Sequence, residues 1–281
     1  MEGKKVLITG ASSGIGAALA RSYAARGASL GLAARRMQRL QALKKELTDV
    51  HPDLKVGLYQ TDVTRQEQCQ RFIEAAAAEL GGIDVLLNNA GISMRAALED
   101  VELSVLQKVM DVNFWGTVFC TKAALPHLKR SRGSIVGVSS IAGFKGLPGR
   151  SGYSASKFAM HGFLESIRIE LLPAGVHVLI ACPGFTASEI RTKSLVADGS
   201  QQGKSPRNEQ KMMTSQEVAE AILQATRHRK RTLVLTRQGK ITTVANKFAP
   251  GWVDKQVLKL FEKEEGFENP QQASNPSVSD N

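Results

Sequence analysis

Cysteine is scarce and unpaired in this chain. Cys69, Cys120 and Cys182 form no Cys-x-x-Cys pair, and their odd, widely spaced count argues against a disulfide framework or a zinc site. They are expected to be buried and reduced. The five histidines, His51, His127, His161, His177 and His228, are scattered without ligand spacing, so no metal is expected. No apolar run approaches the ~20 residues of a membrane-spanning helix. Met1-Glu2-Gly3-Lys4-Lys5 leads into an apolar strand with no leader-like stretch, and the expected location is the cytoplasm, at most peripheral to a membrane.

What is present is ordinary globular composition, 42% hydrophobic and 22% charged, arranged as short apolar runs alternating with longer amphipathic segments. Strands are expected at 5–9, 29–33, 55–60, 84–87, 134–138, 176–181 and 232–236. Helices are expected at 14–26, 37–48, 66–79, 103–129, 153–172 and 215–226. The alternation indicates the α/β class: a Rossmann-like, doubly wound parallel sheet with helices on both faces, forming a single domain with a C-terminal helical appendage. Ligands of such sheets bind beyond the carboxyl ends of the strands, where Gly10, Asn88, Ser140 and Pro183 fall by this reading. The core is assigned to 1–225, a last strand and basic helical extension to 226–263, and a disordered tail to 264–281, where Asn, Pro, Gln and Ser dominate.

Two constellations carry chemistry. Lys5-Val6-Leu7-Ile8 runs into Thr9-Gly10-Ala11-Ser12-Ser13-Gly14-Ile15-Gly16 and then an apolar-periodic helix. Glycines at 10, 14 and 16 permit a tight turn and close backbone approach, so the helix N-terminus can receive phosphates. The second constellation is Tyr153 and Lys157, four apart and therefore on one helix face, with Ser140 thirteen residues before the tyrosine. Alone, a Tyr-x-x-x-Lys pair is ordinarily a surface pair. Beside the glycine turn and Ser140 it reads as a phenol whose pKa, about 10 when unperturbed, is lowered by the ammonium toward neutral pH.

The glycine turn, Asn88-Asn89-Ala90-Gly91, Asn113, Ser140, Tyr153, Lys157 and Pro183-Gly184 follow the order and approximate spacing of the short-chain dehydrogenase/reductase family, which the chain resembles over about residues 4–225. The resemblance implies that Tyr153 is the general acid or base. Lys157 would hold the nicotinamide ribose and lower the tyrosine pKa, Ser140 would hydrogen-bond the substrate oxygen, and Asn113 would position a water. It implies cofactor contacts by Gly10, Ser12, Ser13, Gly14, Ile15 and Gly16, by Asn89, Ala90 and Gly91, and by Pro183 and Gly184, besides Tyr153 and Lys157. Asp62 and Val63 would meet the adenine, and Thr186 with Ser188 the nicotinamide carboxamide. Asp62 could instead cap the helix expected from about 66.

At the end of the second strand the acidic residue that would bind an NAD ribose is missing: Ala34 stands there, followed by Arg35 and Arg36. A guanidinium suits the 2'-phosphate, so NADP(H) is the expected cofactor with Arg35 as its reader. The bland alternative is that both arginines solvate a loop. The resemblance implies that the polar, turn-rich segment 187–214 takes the place of the family's lid over the substrate. Phe144, Leu147, Phe185, Leu195, Met212 and Met213 are candidates for an apolar pocket, favouring a small-molecule carbonyl substrate, a hydrophobic ketone or aldehyde of lipid- or steroid-like character. Alternatives are a 3-oxoacyl thioester reductase and an NADPH-binding scaffold or sensor. A homo-oligomer, dimer or tetramer, is expected.

Residues 226–263 hold ten basic and two acidic side chains, net +8 of the chain's +11. Ile241, Val244, Ala245 and Phe248 share one helical face, and after Pro250-Gly251, Val253, Val257, Leu260 and Phe261 share another. These basic amphipathic helices either pack on the domain or, through 240–263, touch a membrane surface, as in the membrane-associated ketone reductases that the extension loosely resembles. Nucleic acid is not an expected partner.

Overall fold

The structure, a computed structural model, describes residues 1–203 and 212–262. The Ser205-Pro206-Arg207 part of the expected lid and the expected tail lie outside the described residues. The sheet strands are β1 (Lys5–Thr9), β2 (Ser29–Ala34), β3 (Val56–Gln60), β4 (Val85–Asn88), β5 (Ser134–Val138) and β6 (His177–Cys182), with β7 (Thr186–Ala187) and β8 (Met213–Thr214) forming a separate pair and β9 (Thr232–Val234) returning to the sheet. The helices are α1 (Gly14–Ala24), α2 (Met37–Val50), α3 (Gln66–Leu80), α4 (Leu103–Met110), α5 (Gly116–Ser131), α6 (Ser151–Glu170), α7 (Ser215–Arg227), α8 (Arg237–Phe248) and α9 (Pro250–Glu262).

Seven strands pair in the order β3-β2-β1-β4-β5-β6-β9, all parallel. Because side chains alternate along a strand, Val6 and Ile8 join the core under α1, α2 and α7, whereas Leu7 joins the opposite core under α3, α5 and α6. Burial on both faces is why these strands are nearly continuous in Val, Leu and Ile. The order reverses between β2 and β4 on either side of β1, opening a crevice at their carboxyl ends.

Two departures from the sequence reading, and one alternative that it left open, matter for the site. The single helix expected over 103–129 is α4 and α5 separated by a π-helical turn, Asp111–Trp115, which turns Asn113 wholly into the interior. Gly116 follows because a Cβ there would lie 2.8 Å from Val63 Cγ2. The β7–β8 pair, too short for periodicity to reveal, ties the two ends of the expected lid together in register Thr186–Met213 and Ala187–Thr214. Finally, α9 turns Val253 and Phe261 inward, 3% and 2% exposed, while Phe248 on α8 is 83% exposed. Phe261 therefore belongs to the packed interior and not to an outward face. An ion pair between Lys145 and Asp254, and the Asn246 Nδ2 bond to the Phe144 carbonyl (3.1 Å), fasten the extension to the loop after β5.

Candidate active site

The glycine turn packs backbone on backbone. A Cβ at Gly16 would lie 2.2 Å from the Gly10 carbonyl, and one at Gly10, whose φ is +65°, would lie 2.8 Å from Ala90 Cα. Asn89 braces this turn rather than pointing away from it, its Nδ2 donating to the Thr9 carbonyl (3.0 Å) and the Gly10 carbonyl (3.2 Å). Ser13, at the N-cap of α1, makes no side-chain capping bond. Its hydroxyl and that of Ser12 accept instead from Arg36 Nη2 at 3.1 and 3.0 Å. Gly10, Ser12, Ser13, Gly14 and Ile15 thus line one wall of a cleft of about 1360 Å³, with Ala90 and Gly91 beside them. Gly16 is not on the wall; it lets α1 close on the turn.

Arg35 and Arg36 both border the cleft, but Arg36 is the one fixed in it. Sequence reasoning singled out Arg35, which is exposed and whose carbonyl accepts from Gln60 Nε2 at 3.3 Å. Asp62 and Val63 also line the cleft. Asp62 does not cap α3; its Oδ1 accepts from Thr64 N (3.0 Å) and Thr64 Oγ1 (2.9 Å), closing a short turn. Pro183, Gly184, Thr186 and Ser188 form the facing wall, and the Thr186 hydroxyl folds back onto the Gly184 carbonyl at 3.1 Å. These features fit a dinucleotide: a tightly packed glycine turn at the N-terminus of α1, a fixed guanidinium and no carboxylate at Ala34.

At the floor of the cleft, α6 brings Tyr153 and Lys157 onto one face, and the end of β5 delivers Ser140 to them. The Ser140 hydroxyl accepts from Ala142 N at 3.2 Å and stands beside the Tyr153 phenol, on whose pKa it acts. Lys157 is only 3% exposed, and its ammonium donates to the Val138 carbonyl (3.0 Å) with Met160 Sδ at 3.6 Å. Burial pushes its pKa down to about 8. Burial also raises the Tyr153 pKa, opposed by the Ser140 hydroxyl beside it and the positive charge of Arg150. This corrects the expected lowering by Lys157: helix spacing puts both groups on one face, but Nζ turns to β5 and lies 5.7 Å from the tyrosine ring centroid. Asn113 commits its side chain to structure. Its Oδ1 accepts from Ile92 N (2.8 Å), and its Nδ2 donates to the Ile92 carbonyl and to Ser156 Oγ, both at 2.9 Å, locking the loop after β4 to α6.

Behind the floor is a group that sequence reasoning missed. The His161 Nε2 is 2.8 Å from Ser139 Oγ and 3.6 Å from Cys182 Sγ, and its ring meets Phe144 edge-on at 4.6 Å. Burial drives His161 down to about 4 and Cys182 up to about 12, so both are neutral packing groups at physiological pH. All three cysteines are buried and unbridged, as expected. Of the six apolar candidates, Leu147, Phe185, Leu195 and Met213 line the cleft, whereas Phe144 packs on His161 and Met212 is not on the wall. The extension supplies the rest: Ile241, Trp252, Val257, Leu260 and Phe261 complete the apolar side. Among the described residues there is no His, Cys, Asp and Glu cluster able to hold a metal, and no helix long and apolar enough to cross a membrane.

The family model described as short chain dehydrogenase matches residues 4–198. The chain belongs to the short-chain dehydrogenase/reductase family. It is thereby an oxidoreductase acting on CH–OH or carbonyl groups with NAD(P). This family member is 36% identical over 268 residues to the fruit fly (Drosophila melanogaster) protein "Dehydrogenase/reductase SDR family protein 7-like", covering 92% of this chain and 82% of the relative. It is 43% identical over 189 residues to 11-beta-hydroxysteroid dehydrogenase 1A of Arabidopsis thaliana, covering 67% of this chain and 54% of that protein, about half its length. Among solved structures, an alcohol dehydrogenase from the archaeon Thermococcus sibiricus, complexed with 5-hydroxy-NADP, superposes with a TM-score of 0.74 at 27% identity, covering 83% of this chain and 95% of the other.

Proposed function

We propose that this oxidoreductase is an NADPH-dependent carbonyl reductase whose substrate is a hydrophobic, lipid- or steroid-like ketone or aldehyde. The observation that carries the reading is the placement of Tyr153, Ser140 and Lys157 together at the floor of a cleft whose opposite side is apolar. Tyr153 holds its proton firmly at neutral pH, as a donor to a carbonyl oxygen must. Ser140 presents its hydroxyl to the same oxygen, and after transfer the neighbouring Ser140 hydroxyl and the Arg150 charge favour the phenolate. Lys157 fixes the ribose side of the site, and Asn113 holds the loop after β4 against α6. When bound, NADPH supplies the hydride that reduces the carbonyl carbon.

Preference for NADP(H) is supported by Ala34 and the two arginines after it, and by the archaeal neighbour's NADP derivative. The apolar substrate is supported by Leu147, Phe185, Trp252 and Leu260, and by the hydroxysteroid dehydrogenase names of several relatives. Lys108, Arg191 and Lys259 on the same cleft favour a second reading, an anionic 3-oxoacyl thioester. NADPH oxidation measured on bulky apolar ketones, acetoacetyl thioesters and small polar ketones separates these. Turnover confined to the thioesters would favour the second reading, and turnover on none would favour a binding scaffold.

Two contacts complete the proposal. On α8 and α9, Ile241, Val244, Phe248 and Trp252 are each more than half exposed, with Lys240, Lys247 and Lys255 nearby in sequence, which suits peripheral contact with an anionic bilayer beside the cleft. Exposed Trp115, Phe158, Ile169 and Leu172, in and around α6 and the π turn, suit a homo-oligomer contact. Light scattering on the purified chain tests the latter: a monomer at micromolar concentration contradicts it.

A further inference from the structure

Only two of the described residues lining the cleft are acidic, Asp62 and Glu189. Asp62 is spent on its own turn. Glu189, two residues beyond β7, reaches across to the start of α2, where its Oε1 and Oε2 accept from Arg39 Nη1 at 2.7 and 2.9 Å. Oε2 lies 3.5 Å from Arg36 Nη1, and the carboxylate also pairs with Lys193 on its own segment. Arg36 is held from both sides, its Nη2 on the Ser12 and Ser13 hydroxyls and its Nη1 toward Glu189. A guanidinium receives carboxylate and phosphate oxygens in the same forked geometry, so an anion already on Arg36 and Arg39 contends with any phosphate brought to them.

We propose that Glu189 is a specificity residue that competes with the cofactor's 2'-phosphate for Arg36 and Arg39, narrowing the preference for NADP(H) over NAD(H). The proposal rests on the NADP(H) reading above. A ribose 2'-hydroxyl carries no charge to contend for the guanidinia, so Glu189 bears on one cofactor and not on the other. The pairs are weak enough to yield: the side chains of Arg36, Arg39 and Glu189 are 39%, 46% and 40% exposed, and such solvated pairs change an equilibrium by about fivefold at most. Glu189 remains an anion throughout the physiological range, the Lys193 hydrogen bond and Arg39 holding its carboxyl down to about 2.

Calorimetric titration of the full chain with NADP+ and with NAD+, without turnover, tests this in wild type and Glu189→Gln, with Glu189→Ala as the second variant. Thermal melting of each variant checks that it folds. Both variants are expected to bind NADP+ about two- to fivefold more tightly than wild type and NAD+ with unchanged affinity. Equal shifts for both cofactors, or weaker NADP+ binding, would overturn the proposal and make Glu189 a simple strap on the lid segment. If wild type does not prefer NADP+ at all, the cofactor reading fails separately. Glu189 then keeps its role if the variants gain a preference, and loses it if they do not.

Discussion

Lys157→Met should stabilise the protein at neutral pH while removing its activity. The ammonium is 3% exposed, faces a carbonyl and a thioether, and has no carboxylate among the causes acting on its pKa. Cys182 would favour the ammonium only as a thiolate, and with its pKa near 12 it is a thiol here. The folded pKa of about 8 against 10.5 for the free group means that, below pH 8, holding the charge inside costs about 3 kcal/mol. Between pH 8 and 10.5 the unfolded chain binds more protons than the folded one, so stability rises with pH through that window. Methionine keeps the stem and carries no charge, but leaves the Val138 carbonyl without its donor, a loss of about 1 kcal/mol. The net gain at pH 7 is about 2 kcal/mol and shrinks as pH rises toward 10. Urea unfolding of both proteins at pH 7 and pH 9.5 reads the difference directly. A variant less stable than wild type at pH 7, with a difference indifferent to pH, would refute the argument that Lys157 is held at the expense of desolvation.

Three further outcomes follow from the geometry. Arg35→Ala and Arg36→Ala should each weaken NADPH far more than NADH, a charged hydrogen bond being worth about 1.5 to 3 kcal/mol, and equal losses in a binding titration would reduce the arginines to supports of the fold. Gly16→Ala should destabilise the chain by about 1 to 3 kcal/mol in urea, because its Cβ would stand 2.2 Å from the Gly10 carbonyl; a neutral result would mean that the turn is more yielding than its packing indicates. Phe248→Ser should abolish flotation with anionic vesicles at low salt, whereas a wild-type chain that ignores such vesicles would return the extension to a purely packed role.

The sheet was legible because a strand buried on both faces must be written in Val, Leu and Ile, as Leu7, Leu86 and Ile135 are. Gly10, Ser140, Tyr153 and Lys157 were legible because their types and spacing are themselves the signal. The π turn was not: Asp111–Trp115 is a single turn, too short for its wider period to stand out from the helical pattern on either side. Neither was the direction of the Tyr153 shift, since helix spacing locates the lysine but tertiary burial and the Val138 carbonyl decide where its charge points. Arg36 and Glu189 lie 153 positions apart in sequence, and exposed charges carry no periodicity that would have joined them.

The central claim is that Tyr153 donates the proton. Tyr153→Phe removes one oxygen from the floor of the cleft, leaving the glycine turn, Arg36 and Lys157 in place. Single-turnover reduction of an apolar ketone by NADPH, paired with a direct measurement of NADPH binding, tests it. The account predicts a loss of 10²- to 10⁴-fold in the reduction rate, about 3 kcal/mol or more of transition-state stabilisation, with NADPH affinity unchanged. Wild-type rates in the phenylalanine variant would contradict it.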